Sequence, residues 1–124
     1  LRISKRKNSL PVYLDGKFAI YEVTDDPESD YPRLLLRKVK SGISFSELQI
    51  FDKSLVAYKS AGIEVERKIR TRPIRLFKKH YIGIGDQIYK VENSVTAINA
   101  SGFEETDITL SIFTESFELE VVGS

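Results

Sequence analysis

Residues 81–98 run Tyr81-Ile82-Gly83-Ile84-Gly85-Asp86-Gln87-Ile88-Tyr89-Lys90-Val91-Glu92-Asn93-Ser94-Val95-Thr96-Ala97-Ile98, and their reading decides the fold. β-Branched and aromatic residues recur and no proline interrupts, the composition of pleated strands. Gly85-Asp86 is a turn pair in the middle. The stretch therefore predicts two antiparallel strands, Tyr81–Ile84 and Gln87–Ile98, joined by a short turn.

Upstream the same period of two continues. Ile63, Val65 and Ile69 point one way, with Arg67 interrupting the apolar side, while Glu64, Glu66, Lys68 and Arg70 point the other. That pattern fits a half-exposed antiparallel strand. Pro73 opposes its continuation as a central strand, and a further strand is expected at Ile74–Phe77. Downstream, a loop at Asn99–Glu105 separates strands expected at Thr106–Phe113 and Phe117–Val122. Near the N-terminus, Val12–Leu14 and Lys17–Val23 flank Asp15-Gly16, a dipeptide suited to a tight hairpin turn. The acidic, proline-bearing stretch Thr24–Pro32 reads as an exposed, mobile loop, and Arg33–Lys40 as the next strand.

One segment changes period. Phe45, Leu48, Phe51, Leu55 and Tyr58 are spaced three or four apart, as on one buried helical face. Ser44 with Glu47 forms a capping-box pattern at its start, and Gly62 suits its end. The expectation is mainly β: a small antiparallel β-barrel or sandwich, residues 1–124 as a single domain, with one inserted α-helix near residues 45–60.

Composition narrows the chemistry. The 124 residues contain no cysteine and one histidine, His80. A disulfide framework, a thiolate zinc site and a cysteine nucleophile are excluded, and histidine-centred relays are poorly supplied. No apolar run approaches the roughly 20 residues that span a bilayer, and no secretory signal is expected from the N-terminal residues. Asp25, Asp26, Glu28 and Asp30 lack the spacing of a calcium loop. Asp15/Glu22 and Glu104/Glu105/Asp107 offer carboxylates, but nothing marks a pair with split environments. Gly83-Ile84-Gly85 lacks the remaining glycine, the lysine and the helix of a phosphate loop. Asn99-Ala100-Ser101 matches a glycosylation tripeptide, meaningful only in a secreted chain. His80 beside Lys78 and Lys79 fits a phosphate contact less well than an ordinary strand-end residue. No catalytic residue, cofactor or metal is expected, nor a membrane partner.

Charge says more. Residues 1–80 hold 18 Lys/Arg against 10 Asp/Glu, a balance of +8, and residues 81–124 hold one Lys against eight acids, a balance of −7. Such asymmetry points to a charged partner or to self-association through unlike faces. The densest basic run is Arg67, Lys68, Arg70, Arg72, Arg75, Lys78 and Lys79. It fits a surface meeting phosphates or an acidic protein face, and equally a solvated strand.

The segment Ser46-Glu47-Leu48, Ala57-Tyr58 and Gly62–Arg70, followed by Tyr81–Val91, the Asn99–Glu105 loop and Ile108–Ile112, resembles the head–tail joining (head closure, or head completion) proteins of tailed bacteriophages. The resemblance covers the last two-thirds of the chain; Gly85, Tyr89 and Val91 stand at its hairpin motif. The family's tryptophan before the helix is missing, Val39–Ile43 standing there instead. The resemblance implies a small β-barrel that is not an enzyme. It implies a structural virion protein of a phage or prophage, a ring beneath the portal and adaptor that binds the tail and lines or closes the DNA exit channel. Its place is then the head–tail interface of the virion, and the bacterial cytoplasm during assembly. On this reading Arg67, Lys68, Arg70, Arg72 and Arg75 of one copy meet Glu104, Glu105 and Asp107 of the next, in a heterologous contact that closes by rotation. Transient DNA contact is a further expectation. The alternative is a nucleic-acid-binding barrel that uses the basic 67–79 stretch.

Overall fold

A computed structural model describes residues 10–25, 34–50, 58–115 and 117–119. Seven strands follow in chain order: β1 (Gly16–Asp25), β2 (Leu34–Leu48), β3 (Val65–Thr71), β4 (His80–Ile84), β5 (Gln87–Ile98), β6 (Glu104–Ile112) and β7 (Phe117–Leu119). They form one sheet in the order β1-β4-β5-β6-β3-β2-β7, and an additional β1–β2 pairing closes the first six into a barrel. Pairing around the ring is antiparallel throughout; β7 alone adds in parallel, at Leu34–Leu36 of β2. The molecule is mainly β and the barrel is closed.

Alternation builds the interior. Phe18 and Ile20, Ile43 and Phe45, Ile69, Ile82, Tyr89, Ile108 and Leu110 are buried together. β3 lies opposite β4 in the ring, so the connection between them crosses the barrel from one side to the other. Its Ile74 and Leu76 pack on the core. Buried Thr106 binds this connection, its Oγ1 accepting from Ile74 N–H at 3.1 Å and lying 2.7 Å from Thr96 Oγ1. A second, smaller core lies on the other face of β4 and β5, where Leu36, Ile88 and Phe113 gather Tyr21, Val23, Tyr81 and Phe117. There the Tyr21 ring lies over Gly83. A Cβ at Gly83 would stand 2.6 Å from Tyr21 Cε2, so only glycine leaves room for the ring.

Four expectations are corrected here. Phe45–Leu48, read as the start of a helix, is the end of β2. β2 runs on through Ser41-Gly42: register shifts mark bulges in the β1–β2 pairing, and Gly42 takes φ +70° beside one of them. Ile43 and Phe45 thus alternate inward, a period of two that the three-residue spacing concealed. Residues 51–57 of the expected helix lie outside the described residues. Its end stands: Tyr58–Ser60 is helical, and Gly62 N–H to Lys59 O with Ile63 N–H to Tyr58 O, both 2.9 Å, form the glycine-terminated C-cap.

The Asp15-Gly16 hairpin is also absent. Leu10–Leu14 is not a strand. Asp15 instead docks on β2, its N–H donating to Phe45 O at 2.9 Å and its Oδ2 accepting from Glu47 N–H at 2.7 Å. Ile74–Phe77 is likewise irregular rather than a strand, because it belongs to the crossing connection. Of the expected loop 24–32, Thr24 and Asp25 belong to β1, and the rest lies outside the described residues.

Candidate assembly surface

The basic strand divides in two. Arg67 and Arg70 are engaged within the chain. Arg67 lies on the same side of β3 as Ile69 and Thr71, at the rim of the core, with its guanidinium 5.6 Å from the Phe45 ring centre and 5.7 Å from that of Tyr89. Its Nε and Nη2 donate to the Glu47 carboxylate at 3.2 and 2.5 Å. The hydrogen bond to Glu47 holds the guanidinium still further above its high range, against the opposing effect of burial. An arginine on an apolar face is satisfied here by two rings and one carboxylate.

Arg70 points to the other face and forms a two-pronged pair with Asp107, its register partner on β6, at 2.7 and 3.0 Å. That bond, opposed by partial burial, raises its affinity for a proton. The structure therefore brings Arg70 and Asp107 together in one molecule, whereas the resemblance implied that they meet between copies. Glu105 is engaged too. Tyr13 O–H donates to its Oε2 at 2.6 Å, and Asn99 Nδ2 to its Oε1 at 2.9 Å. Burial and the Glu105 carboxylate together push the Tyr13 hydroxyl well above the usual tyrosine range. Asn99 Oδ1 accepts from Ser101 and Phe103 N–H; the glycosylation-like tripeptide thus forms a side-chain-stitched turn.

Lys68 is half-buried on β3, whereas Arg72, Arg75 and Glu104 are exposed. None of these four has a carboxylate or cation within salt-bridge distance among the described residues. Arg72 and Arg75 stand on the crossing connection with Lys78, Lys79 and Phe77, whose side chain is 55% exposed. Around Glu22 of β1 gather Lys79 at 3.2 Å, Arg37 at 3.8 Å and His80 at 3.9 Å. His80 Nδ1 accepts from Phe77 N–H at 2.9 Å, and burial lowers its proton affinity against the pull of Glu22.

Two apolar features are uncovered. One is the extended segment before β1, with Leu10, Val12 and Leu14 at 72, 67 and 83% exposure. The other is the far end of β5, with Val95 at 50% and Ile98 at 70%. Isolated exposed side chains are ordinary; five on two short stretches make candidate contacts. Sequence reasoning placed Val12–Leu14 in a hairpin and so missed the first feature. An open hollow between Ile63–Glu66 and Ser111–Glu115 mixes charges, Lys59 and Lys90 with Glu64, Glu66 and Glu92. Among the described residues no group of three or more His, Asp or Glu is placed to hold a metal ion, and no helix is long and apolar enough to cross a membrane.

Compared with known proteins, the chain matches no protein-family model and no curated protein.

Proposed function

We propose that this chain is a structural assembly component, a ring subunit of the connector joining the head of a tailed bacteriophage or prophage to its tail. The observation that carries the reading is the pair of separate uncovered surfaces on a barrel that is itself closed. Leu10, Val12 and Leu14 lie on one, and the far end of β5 is the other, with Val95 on one face of the strand and Ile98 on the opposite face. Unlike surfaces on one subunit give head-to-tail contacts, which close into a ring when the rotation allows. The +8/−7 division of charge supports the same polarity, and the family resemblance supplies the setting: portal and adaptor above, tail below.

Arg67 and Arg70 already hold Glu47 and Asp107. Attraction between copies therefore falls to Lys68, Arg72 and Arg75 on one side and Glu104 on the other. The test is electron microscopy of particles assembled without this chain. The expected result is full heads and free tails. Normally tailed particles would overturn the reading.

A second reading rests on the crossing connection, where Arg72, Arg75 and Lys78 are exposed beside Phe77. Cations along a backbone-tracking path with an exposed ring suit single-stranded or duplex nucleic acid. Tight binding of generic DNA that weakens steeply with salt favours this binding-module reading; its absence favours the ring.

A further inference from the structure

β5 is 12 residues long, but β4 covers only its first part, through the pair Tyr81↔Lys90. Beyond Lys90 its sole ladder partner among the described residues is β6, and no described loop backbone bonds to its other side. Residues 93–98 therefore present an open strand edge. Asn93 and Val95–Ile98 are exposed. The edge carries no proline and no charge, the devices by which proteins ordinarily guard such edges.

The same chain holds a segment with a strand's alternation of exposure but no ladder. Leu10–Leu14 is extended in exposure pattern, with Leu10, Val12 and Leu14 outward and Pro11 and Tyr13 half-buried. No backbone hydrogen bond ties residues 10–14 to the described molecule. It cannot serve its own β5 edge. Tyr13 is held by Glu105 of β6, and Asp15 by Phe45 and Glu47 of β2. The segment thus lies by Ser44, Pro73, Phe103 and Glu104, with β6 between it and the open side of β5.

We infer that Leu10–Leu14 of one copy adds as a strand to the Asn93–Ile98 edge of a second copy. Backbone bonds supply the affinity, and the alternate side chains Leu10, Val12 and Leu14, which share one face of the added strand, cover apolar surface at Val95; Ile98 lies on the opposite face of β5. Charge agrees with this occupant. Residues 91–107 hold Glu92, Glu104, Glu105 and Asp107 against no Lys or Arg, and with Asp107 neutralised by Arg70 three negative charges remain, whereas Arg2, Lys5, Arg6 and Lys7 precede the donor with no acid, a net of +4. Donor and acceptor are different surfaces, so each copy gives one strand and receives one. This specifies the subunit contact of the ring proposed above and rests on that reading for its setting.

The chain has no cysteine, which makes a clean test. Full-length Val12→Cys is mixed, at high protein concentration under mild oxidation, with full-length Val95→Cys, Thr96→Cys or Ala97→Cys. A disulfide requires Cα atoms about 5.5 Å apart. The expected result is a crosslinked dimer of one copy of each kind in at least one mixture, with each single variant alone giving several-fold less. Asn99 N–H donates to Phe103 O, so the N–H groups of Asn93, Val95 and Ala97 face β6 and those of Ser94, Thr96 and Ile98 face the open side. Ser94→Pro, which removes one of these edge donors, should abolish the crosslink of Val12→Cys with Val95→Cys. Should the proline variant not fold, Ala97→Lys sets a guarding charge beside the edge and is expected to weaken the same crosslink several-fold. No crosslink in any mixture, or one that survives both edge variants, would overturn the inference. Crosslinking of the Val95→Cys chain to itself above the mixed product would show symmetric edge pairing instead and would also overturn it. None of these outcomes bears on whether tails join heads, which the microscopy decides separately.

Discussion

Arg70 and Asp107 bind each other across β3 and β6 of one chain, through two hydrogen bonds of 2.7 and 3.0 Å. A basic strand that looked available to a neighbour is thus partly neutralised at home. Arg70→Glu would set two carboxylates in register and place a third, Glu105, nearby. The expected loss is about 1 kcal/mol, or about 4 °C in melting temperature. The exchanged pair Arg70→Glu with Asp107→Arg should recover most of it. Equal melting of the single variant and the parent would show that the pair contributes nothing to stability.

Arg67 performs a different task. It covers the Phe45 and Tyr89 rings at the core's rim while holding Glu47. Arg67→Ala is expected to cost about 2 kcal/mol in chemical denaturation, through lost packing as well as lost charge. Arg67→Lys should recover less than half, since an ammonium cannot lie flat on two rings and grip a carboxylate with two prongs. Full recovery by lysine would show that charge alone matters.

Gly83 tests the second core. Gly83→Ala drives a methyl into the Tyr21 ring, so a loss of about 1–3 kcal/mol is expected from overpacking. Combining it with Tyr21→Leu should cost less than the sum of the two single changes, because the clash disappears with the ring. Strict additivity in the double-mutant cycle would contradict the close approach.

His80 gives a pH dependence. Its folded-state proton affinity is lowered, chiefly by burial, and its Nδ1 already accepts the Phe77 N–H. The unfolded chain therefore binds a proton more readily than the folded one. Stability from this group is present above the ordinary histidine pKa of about 6.5 and falls as pH drops through the lowered value. The melting temperature should decline as pH falls below about 6.5, and His80→Asn, which keeps an acceptor, should flatten that part of the curve. An unchanged slope in the variant would assign the effect elsewhere.

These cases show which physical signals a single sequence carries. β5 matches its expected limits, Gln87–Ile98, because alternation and a turn pair are local. Arg67 stood out as a charge on an apolar side, but the two rings and Glu47 that explain it come from β2 and β5, whose register no local pattern reveals. Phe45 and Leu48 misled because a bulge at Gly42 hides strand period, and spacing by three then imitates a helix. Asp15-Gly16 has hairpin chemistry, yet its groups serve β2: the Asp15 carboxylate takes the Glu47 N–H, and Gly16 makes room for the Phe45 ring. Partners for Arg70 and Glu105 lay 37 and 92 residues away, at Asp107 and Tyr13, beyond the reach of any window.

Closure of the barrel has a kinetic side. The β4–β5 and β5–β6 pairings join neighbouring strands and form from short excursions of chain, whereas Ile20 must find Ile82 before the β1–β4 seam exists. Distant pairings lose loop entropy before contacts repay it, and chains dominated by them fold on the millisecond-to-second scale. Until that seam zips, β1 and β4 each offer a raw margin, and another nascent copy competes for it. The competing step is second order in protein. Dilute refolding should therefore yield closed barrels, and concentrated refolding mispaired sheets, with the same amino acids and the same final free energy.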